Sequence, residues 1–232
     1  FCLGFAVTVL TSRGCPLQCS FCNLPGYQGG KYYRRRSAKA ICDEIAFLVQ
    51  RFEPDEIYFD DDTISANRNH VLELCEELQR RKFGLPFSCM ANAAIPRDVL
   101  EAMAQAGCRA IKFGVESANA EVMAAIPKPL DLNEVRAAVR HCRELNIRTH
   151  ATYLFGLPGE DPQRAQETID FAMSLGTNTL QFAIATPYPG TRLYREAKEK
   201  GWLAVDRWQH FDGAGEAVLS YPDYSAEDIE AM

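Results

Sequence analysis

The chain has 232 residues, 47% of them hydrophobic, and 25 basic against 31 acidic side chains give a formal net charge of −6. That length supports one sizeable core in the size range of single α/β barrels, which excludes a small stapled peptide; the acidic balance lacks the positive field that non-specific nucleic-acid binding requires. The uncharged stretch at residues 1–12 is shorter than the roughly 18 residues of a membrane-spanning helix, so no membrane insertion is expected.

The opening run has no initiator Met, no basic flank and no small-residue cleavage site, which reads as a chain that starts inside a longer protein rather than as a signal peptide. A short β-branched and aromatic run at 5–10 predicts a first buried strand, and a cysteine-rich loop follows it. Ser37 is placed to cap a helix whose apolar stripe is Ile41, Ile45, Leu48 and Phe52. A second strand is predicted at 55–60, then a helix with Val71, Cys75 and Leu78 on one face, then a third strand at 85–90. Val99 and Met103 mark the next helix, with Gly107 where a left-handed cap residue is wanted, and the fourth strand follows at 109–115. Pro127 and Pro129 interrupt the connection after it, predicting a short helix, a loop, and a longer helix from about Asn133 that carries Val135, Val139 and Cys142. The fifth strand at 148–155, a helix with Ala165, Ile169 and Ala172, the sixth strand at 179–185 and a helix capped by Thr191 complete the pattern.

Six strand–helix units fall short of the eight that close a (β/α)8 barrel. The expected fold is therefore α/β: a partial, open (β/α)6 TIM-like barrel of parallel strands over residues 1–201, with an aromatic and acidic C-terminal extension at 202–232.

Six of the nine cysteines lie singly within apolar patterns, where a thiol behaves as a small hydrophobe, so an oxidised secreted scaffold does not fit and a reducing, cytoplasmic setting is expected. The other three are crowded into Cys15-Pro16-Leu17-Gln18-Cys19-Ser20-Phe21-Cys22, a C-x3-C-x2-C spacing on the loop after the first strand. In parallel barrels chemistry sits in the loops at the carboxyl ends of strands. Three thiolates on one loop suit three irons of a [4Fe-4S] cluster and leave the fourth iron without a protein ligand. A structural zinc site would need a fourth ligand, and no second C-x-x-C or nearby His supplies it; a redox pair between Cys19 and Cys22 would have no use for Cys15.

With Phe21 directly before the last cysteine, this triplet resembles the signature of the radical S-adenosylmethionine (SAM) superfamily. The resemblance extends along the chain through Thr11-Ser12-Arg13-Gly14-Cys15, Phe59-Asp60-Asp61-Asp62-Thr63, Phe113-Gly114-Val115-Glu116-Ser117, Gly156-Leu157-Pro158-Gly159-Glu160 and Thr186-Pro187-Tyr188-Pro189-Gly190-Thr191, all at successive strand ends. Together these look like the subgroup that often carries an upstream cobalamin-binding domain.

The resemblance implies that Cys15, Cys19 and Cys22 bind a [4Fe-4S] cluster whose free iron chelates the amino and carboxylate groups of SAM. One electron from the reduced cluster then cleaves a carbon–sulfur bond to give a 5′-deoxyadenosyl radical, which abstracts a substrate hydrogen; the cofactors carry the difficult chemistry. It further implies cofactor contacts from Phe21, from one of Asp60, Asp61 and Asp62 to the SAM ammonium, from Glu116 to the ribose or amino group, and from Gly156, Leu157 and Pro158 to the adenine. Read as residues alone, each Asp serves equally well as a solvated or capping side chain, Glu116 as an ion-pair partner of Lys112 or Arg148, and the Gly156 stretch as a plain turn.

The expected reaction is cobalamin-associated methyl transfer to, or rearrangement of, an unactivated carbon of a small-molecule or natural-product substrate, with an electron donor such as flavodoxin or ferredoxin. The alternatives are a methylthiotransferase-like or other non-methylating radical SAM enzyme, and an iron–sulfur electron-transfer module that never cleaves SAM. No Asp-x-His-x-x-Gly stretch occurs, so any cobalamin is bound by residues outside this chain, and Cys89-Met90-Ala91-Asn92-Ala93-Ala94 lacks the Arg that relatives often carry after the third strand. The basic cluster Lys31, Arg34, Arg35 and Arg36 reads mainly as a solvated helix entry, with guidance of an anionic substrate or redox partner as the other reading, and His150 is assigned no role. Substrate contacts are expected from several strand ends and from the tail near Trp202, Trp208 and Tyr221.

Overall fold

The computed structural model describes residues 4–24, 33–205, 207–213 and 215–232. Six runs form one wholly parallel sheet: β1 (Ala6–Val9), β4 (Glu56–Phe59), β5 (Phe87–Asn92), β6 (Cys108–Glu116), β7 (Arg148–Phe155) and β8 (Thr179–Ile184), hydrogen-bonded in that order. This is the expected partial barrel, and each predicted strand lies within two residues of an observed one at either end.

Two further strands were not visible in the hydrophobic pattern. β2 (Ser12–Arg13) and β3 (Arg34–Arg35) make a short antiparallel ladder beside the cysteine loop. They were missed because neither has an apolar face to alternate; their pairing is set by backbone bonds and not by burial. The basic run is accordingly not simply a helix entry. Its first member, Lys31, lies outside the described residues, Arg34 and Arg35 are strand residues, and Arg36 donates to the Leu10 carbonyl at 2.8 Å just ahead of the helix cap.

The connecting helices are α1 (Ala38–Phe52), α2 (Arg68–Arg81), α3 (Arg97–Gln105), α4 (Ala120–Ala125), α5 (Leu132–Glu144), α6 (Pro162–Leu175) and α7 (Arg192–Lys200). Their limits follow from capping chemistry. Ser37 accepts from the Ala40 amide and Thr191 from the Tyr194 amide, as the sequence suggested, while Asn67 and Asp161 cap α2 and α6 in the same way. Gly107 has φ +100 just past α3, where a side chain would meet the Leu85 carbonyl oxygen.

Alternation along the strands divides the side chains. Phe59, Cys89, Ile111, Phe113 and Tyr153 face the helices and pack with Ile41, Ile45, Leu74, Leu100, Met103 and Val139 in one continuous core, each fully buried large side chain contributing about 2 kcal/mol. Met90, Asn92, Gly114 and Thr152 point the other way, into the concave face of the sheet.

The C-terminal segment builds two smaller apolar clusters beside that core. Leu203 bridges to Leu219, Trp202 meets Tyr221 edge-on at 4.9 Å, and Ile229 of α8 (Ala226–Glu230) is buried against Phe155 and Ala165. Of the tail aromatics expected to reach substrate, Trp202 and Tyr221 are thus engaged in packing and Trp208 is exposed. No helix among the described residues is long and apolar enough to cross a membrane.

Candidate functional site

The cysteine loop that follows β2 begins at Gly14, whose φ of +92 only glycine adopts without strain. Its amide donates to Asp62 at 2.8 Å, tying the residue before Cys15 to the end of β4. The Cys22 amide closes a turn onto the Cys19 carbonyl at 3.1 Å, and the Leu193 amide at the start of α7 donates to the Ser20 carbonyl at 2.8 Å. The loop is therefore held from both ends of the barrel.

Behind it lies a buried polar network. Asp61 accepts from the Thr11 amide at 3.2 Å, the Thr11 hydroxyl at 2.8 Å and the Ser12 hydroxyl. Because the Thr11 hydroxyl is already donating to Asp61, His70, 3.0 Å away through Nε2, must be the donor to it; its Nδ1 accordingly has no partner among the described residues. Burial lowers the His70 pKa, which keeps this tautomer neutral.

Cys15, Cys19 and Cys22 line one cavity of about 250 Å3 together with Phe21, Asp62, Met90, Asn92, Gly114, Glu116, Lys128 and Thr152. Burial raises all three thiols, Cys19 up to about 12, with the Lys128 ammonium opposing the rise at Cys15 and Cys19. Among the described residues no three His, Cys, Asp or Glu side chains converge tightly enough to hold a single metal ion. A tetrahedral zinc needs its sulfurs all about 2.3 Å from one point. Thiols that surround a common space without meeting at a point suit a polynuclear cluster instead, each sulfur taking a different iron.

The other predicted positions separate clearly. Asp62 and Glu116 line the cavity with Phe21, whereas Asp60 is exposed and Asp61 is committed to the network behind the loop. Gly156, Leu157 and Pro158 are buried outside the cavity lining. Leu157 shares a cluster with Phe21, and Gly156, at φ +77, has Ile229 of the tail where a Cβ would project.

Among the described residues Glu116 is the one strand residue with a positive φ, +70, at a bulge that turns its side chain over the sheet. Its partner is Lys128, with Nζ 2.6 Å from the carboxylate and 2.7 Å from the Gly114 carbonyl. This corrects the expectation of Lys112 or Arg148. Lys112 lies two pleats earlier on the same strand, and Arg148 stands opposite Ala110 at the exposed start of β7. Lys128 was missed because the Pro127-Lys128-Pro129 run reads as solvated loop; its only sequence signal is a lysine held between two rigid residues. Asn92, Met90 and Thr152 were missed too, since strand parity shows which residues share a face and not which face holds the chemistry.

Residues 9–172 match the radical SAM superfamily. The chain belongs to that superfamily, and it is an enzyme. A [4Fe-4S] cluster and SAM are the cofactors of the family, and the three thiols are a donor set that fits the first. Among curated proteins, the chain is 30% identical over 227 residues to an uncharacterized methyltransferase of Pyrococcus horikoshii, covering 97% of this chain and 49% of that one. It is likewise 30% identical over 233 residues to the cytidylyl-2-hydroxyethylphosphonate methyltransferase of Streptomyces wedmorensis, covering 96% and 43%. The chain thus spans less than half the length of these relatives. Among solved structures, the radical SAM methyltransferase TsrM of Kitasatospora setae, with cobalamin and a [4Fe-4S] cluster bound, matches with a TM-score of 0.80 at 23% identity, over 88% of this chain and 39% of that one. That likeness concerns the fold.

Proposed function

We propose that this chain is the catalytic barrel, residues 1–201 with the covering segment 202–232, of a cobalamin-associated radical SAM enzyme that transfers a methyl group to, or rearranges, an unactivated carbon of a small-molecule substrate. The observation that carries the reading is the cavity lined by Cys15, Cys19 and Cys22 with no histidine and no fourth cysteine among its lining residues. A corner left open for SAM requires that arrangement. The methyltransferase names of the relatives favour methyl transfer, and cobalamin would be held by residues outside this chain.

A cluster held by these thiols would supply the one-electron reduction that SAM cleavage needs. The residues of the chain hold and shield it. Cys15, Cys19 and Cys22 are its ligands, and the Asp62–Gly14 bond keeps the first of them in place. Asp62 is the candidate among the three aspartates for the SAM ammonium, because it alone of the three lines the cavity. Glu116, fixed by Lys128, presents a carboxylate at the cavity wall for a ribose hydroxyl or amino group. Phe21 and Met90 exclude water from the same wall. Gly156, Leu157 and Pro158 act from behind, through Leu157 packed on Phe21.

The test is anaerobic reconstitution with iron and sulfide, followed by dithionite and SAM. The expected product is 5′-deoxyadenosine at a level absent from a Cys19→Ala control. Equal traces in both, together with a reduced-cluster paramagnetic signal that SAM leaves unchanged, would reassign the chain to electron transfer.

A further inference from the structure

Two arginines beside the cysteine loop have no counter-charge among the described residues. In the β2–β3 ladder Arg13 stands directly opposite Arg34, and Ser12 opposite Arg35. Arg36 is neutralised by Glu44, and Arg35 makes a long, half-exposed pair with Glu73 at 3.5 Å. Arg13 and Arg34 are exposed and have neither an ion pair nor a side-chain hydrogen bond among the described residues. Like charges directly opposite each other across an antiparallel pair destabilise it. The ladder therefore holds a local cost that an anionic partner would relieve.

The position of this face is as informative as its charge. Arg13 is two residues from Cys15, so their Cα atoms are at most about 7.6 Å apart. A groove of about 480 Å3 runs along the ladder, bounded by Leu10, Ser12, Arg13, Arg34 and Arg35 and by the Arg36–Glu44 ion pair, whose charges offset each other. The groove is open, and its guanidinium groups are solvated and spread over two strands. Its buried polar side chain, Ser12, donates its hydroxyl to Asp61 and so is not available to hold a small anion. The surrounding chain is acidic, with a net charge of −6, so a cationic face here orients an approaching acidic protein.

We infer that Arg13 and Arg34 form the docking face for a small acidic one-electron carrier protein that reduces the cluster through the Cys15 loop. This rests on the cluster reading above. In the step, the reduced flavin of the carrier gives up one electron and the cluster gains it; no atom is transferred.

The experiment uses the reconstituted full-length enzyme and a flavodoxin kept reduced by its reductase and NADPH, beside a dithionite arm. In Arg13→Glu/Arg34→Glu, flavodoxin-driven formation of 5′-deoxyadenosine is expected to fall about tenfold or more at low salt, while the dithionite-driven rate stays unchanged. Binding of oxidised flavodoxin, followed calorimetrically without SAM, should weaken by about the same factor, lose its salt dependence, and recover in Arg13→Lys/Arg34→Lys. Unchanged flavodoxin binding in the charge-reversed protein would overturn the inference, as would a loss shared equally by the dithionite arm, which would assign the arginines to cluster assembly or to a small anionic substrate. Absence of product with dithionite in the unsubstituted enzyme would instead sink the cluster reading itself.

Discussion

The ammonium of Lys128 lies 2.6 Å from the Glu116 carboxylate, with the two side chains 8% and 10% exposed. Such a pair is strongly asymmetric in its energetics: removing one partner leaves a buried charge uncompensated, at a cost of about 3–5 kcal/mol, while removing both is far milder. Lys128→Met is expected to lose stability of that order in urea denaturation, and Lys128→Met/Glu116→Gln to recover most of it. A single variant as stable as the parent would show that the pair is open to water.

Gly114 makes that pair sterically possible. A Cβ there would stand 2.5 Å from Glu116 Oε1 and 3.0 Å from Lys128 Nζ. Gly114→Ala should therefore cost about 1–3 kcal/mol by overpacking and displace the carboxylate. Equilibrium dialysis of SAM should show weakened binding. Alanine at Gly84, where nothing lies within 4 Å, serves as the comparison, with only the backbone cost of its positive φ.

The aspartates at 60 and 61 should behave in opposite ways. Asp61→Ala strands the Thr11 amide and the Thr11 and Ser12 hydroxyls, a loss of at least about 2 kcal/mol. It also frees the strand that leads into the cysteine loop, so iron content after reconstitution should drop. Asp60→Ala, at an exposed position, should stay within about 0.5 kcal/mol. Equal iron loading in the two variants would refute the anchoring role of Asp61.

Glu160 predicts a pH dependence of stability. Burial pushes its carboxyl up to about 7 against an ordinary 4.5, with the Gly156 and Leu157 amides opposing the rise. The folded state therefore holds the proton more tightly than the unfolded chain. Stability from this group is present below about pH 4.5 and is lost as the pH rises through about 7, by about 3 kcal/mol in all. His70 works the other way, its lowered pKa costing stability as the pH falls below 6.5. The difference between Glu160→Gln and the parent isolates the carboxyl: the variant should gain relative stability on going from about pH 5 to about pH 8. A constant difference across that range would show that Glu160 is ionised throughout.

The strands and helices were legible because each is encoded locally. Phe113 and Ile111 alternate with Lys112 and Gly114 along one strand, and Ser37 or Thr191 marks a helix start without reference to anything distant. The triad was legible for a similar reason, since three ligands within eight residues carry their own geometry. Asp62 could not be told from Asp60 and Asp61 in this way. Adjacent residues at a strand end point in different directions, and only the packed loop shows that one meets the Gly14 amide, one a buried network and one solvent.

By itself the sequence determined the parallel barrel, the C-x3-C-x2-C ligand loop and the family to which they belong, because hydrophobic period and ligand spacing act over a few residues. The tertiary structure alone decided that Lys128 pairs with Glu116, that Gly114 leaves room for both, that the tail covers Gly156, and that Arg13 faces Arg34. Those relations join residues brought together by chain folding, where distance and desolvation, not order along the chain, set the energy.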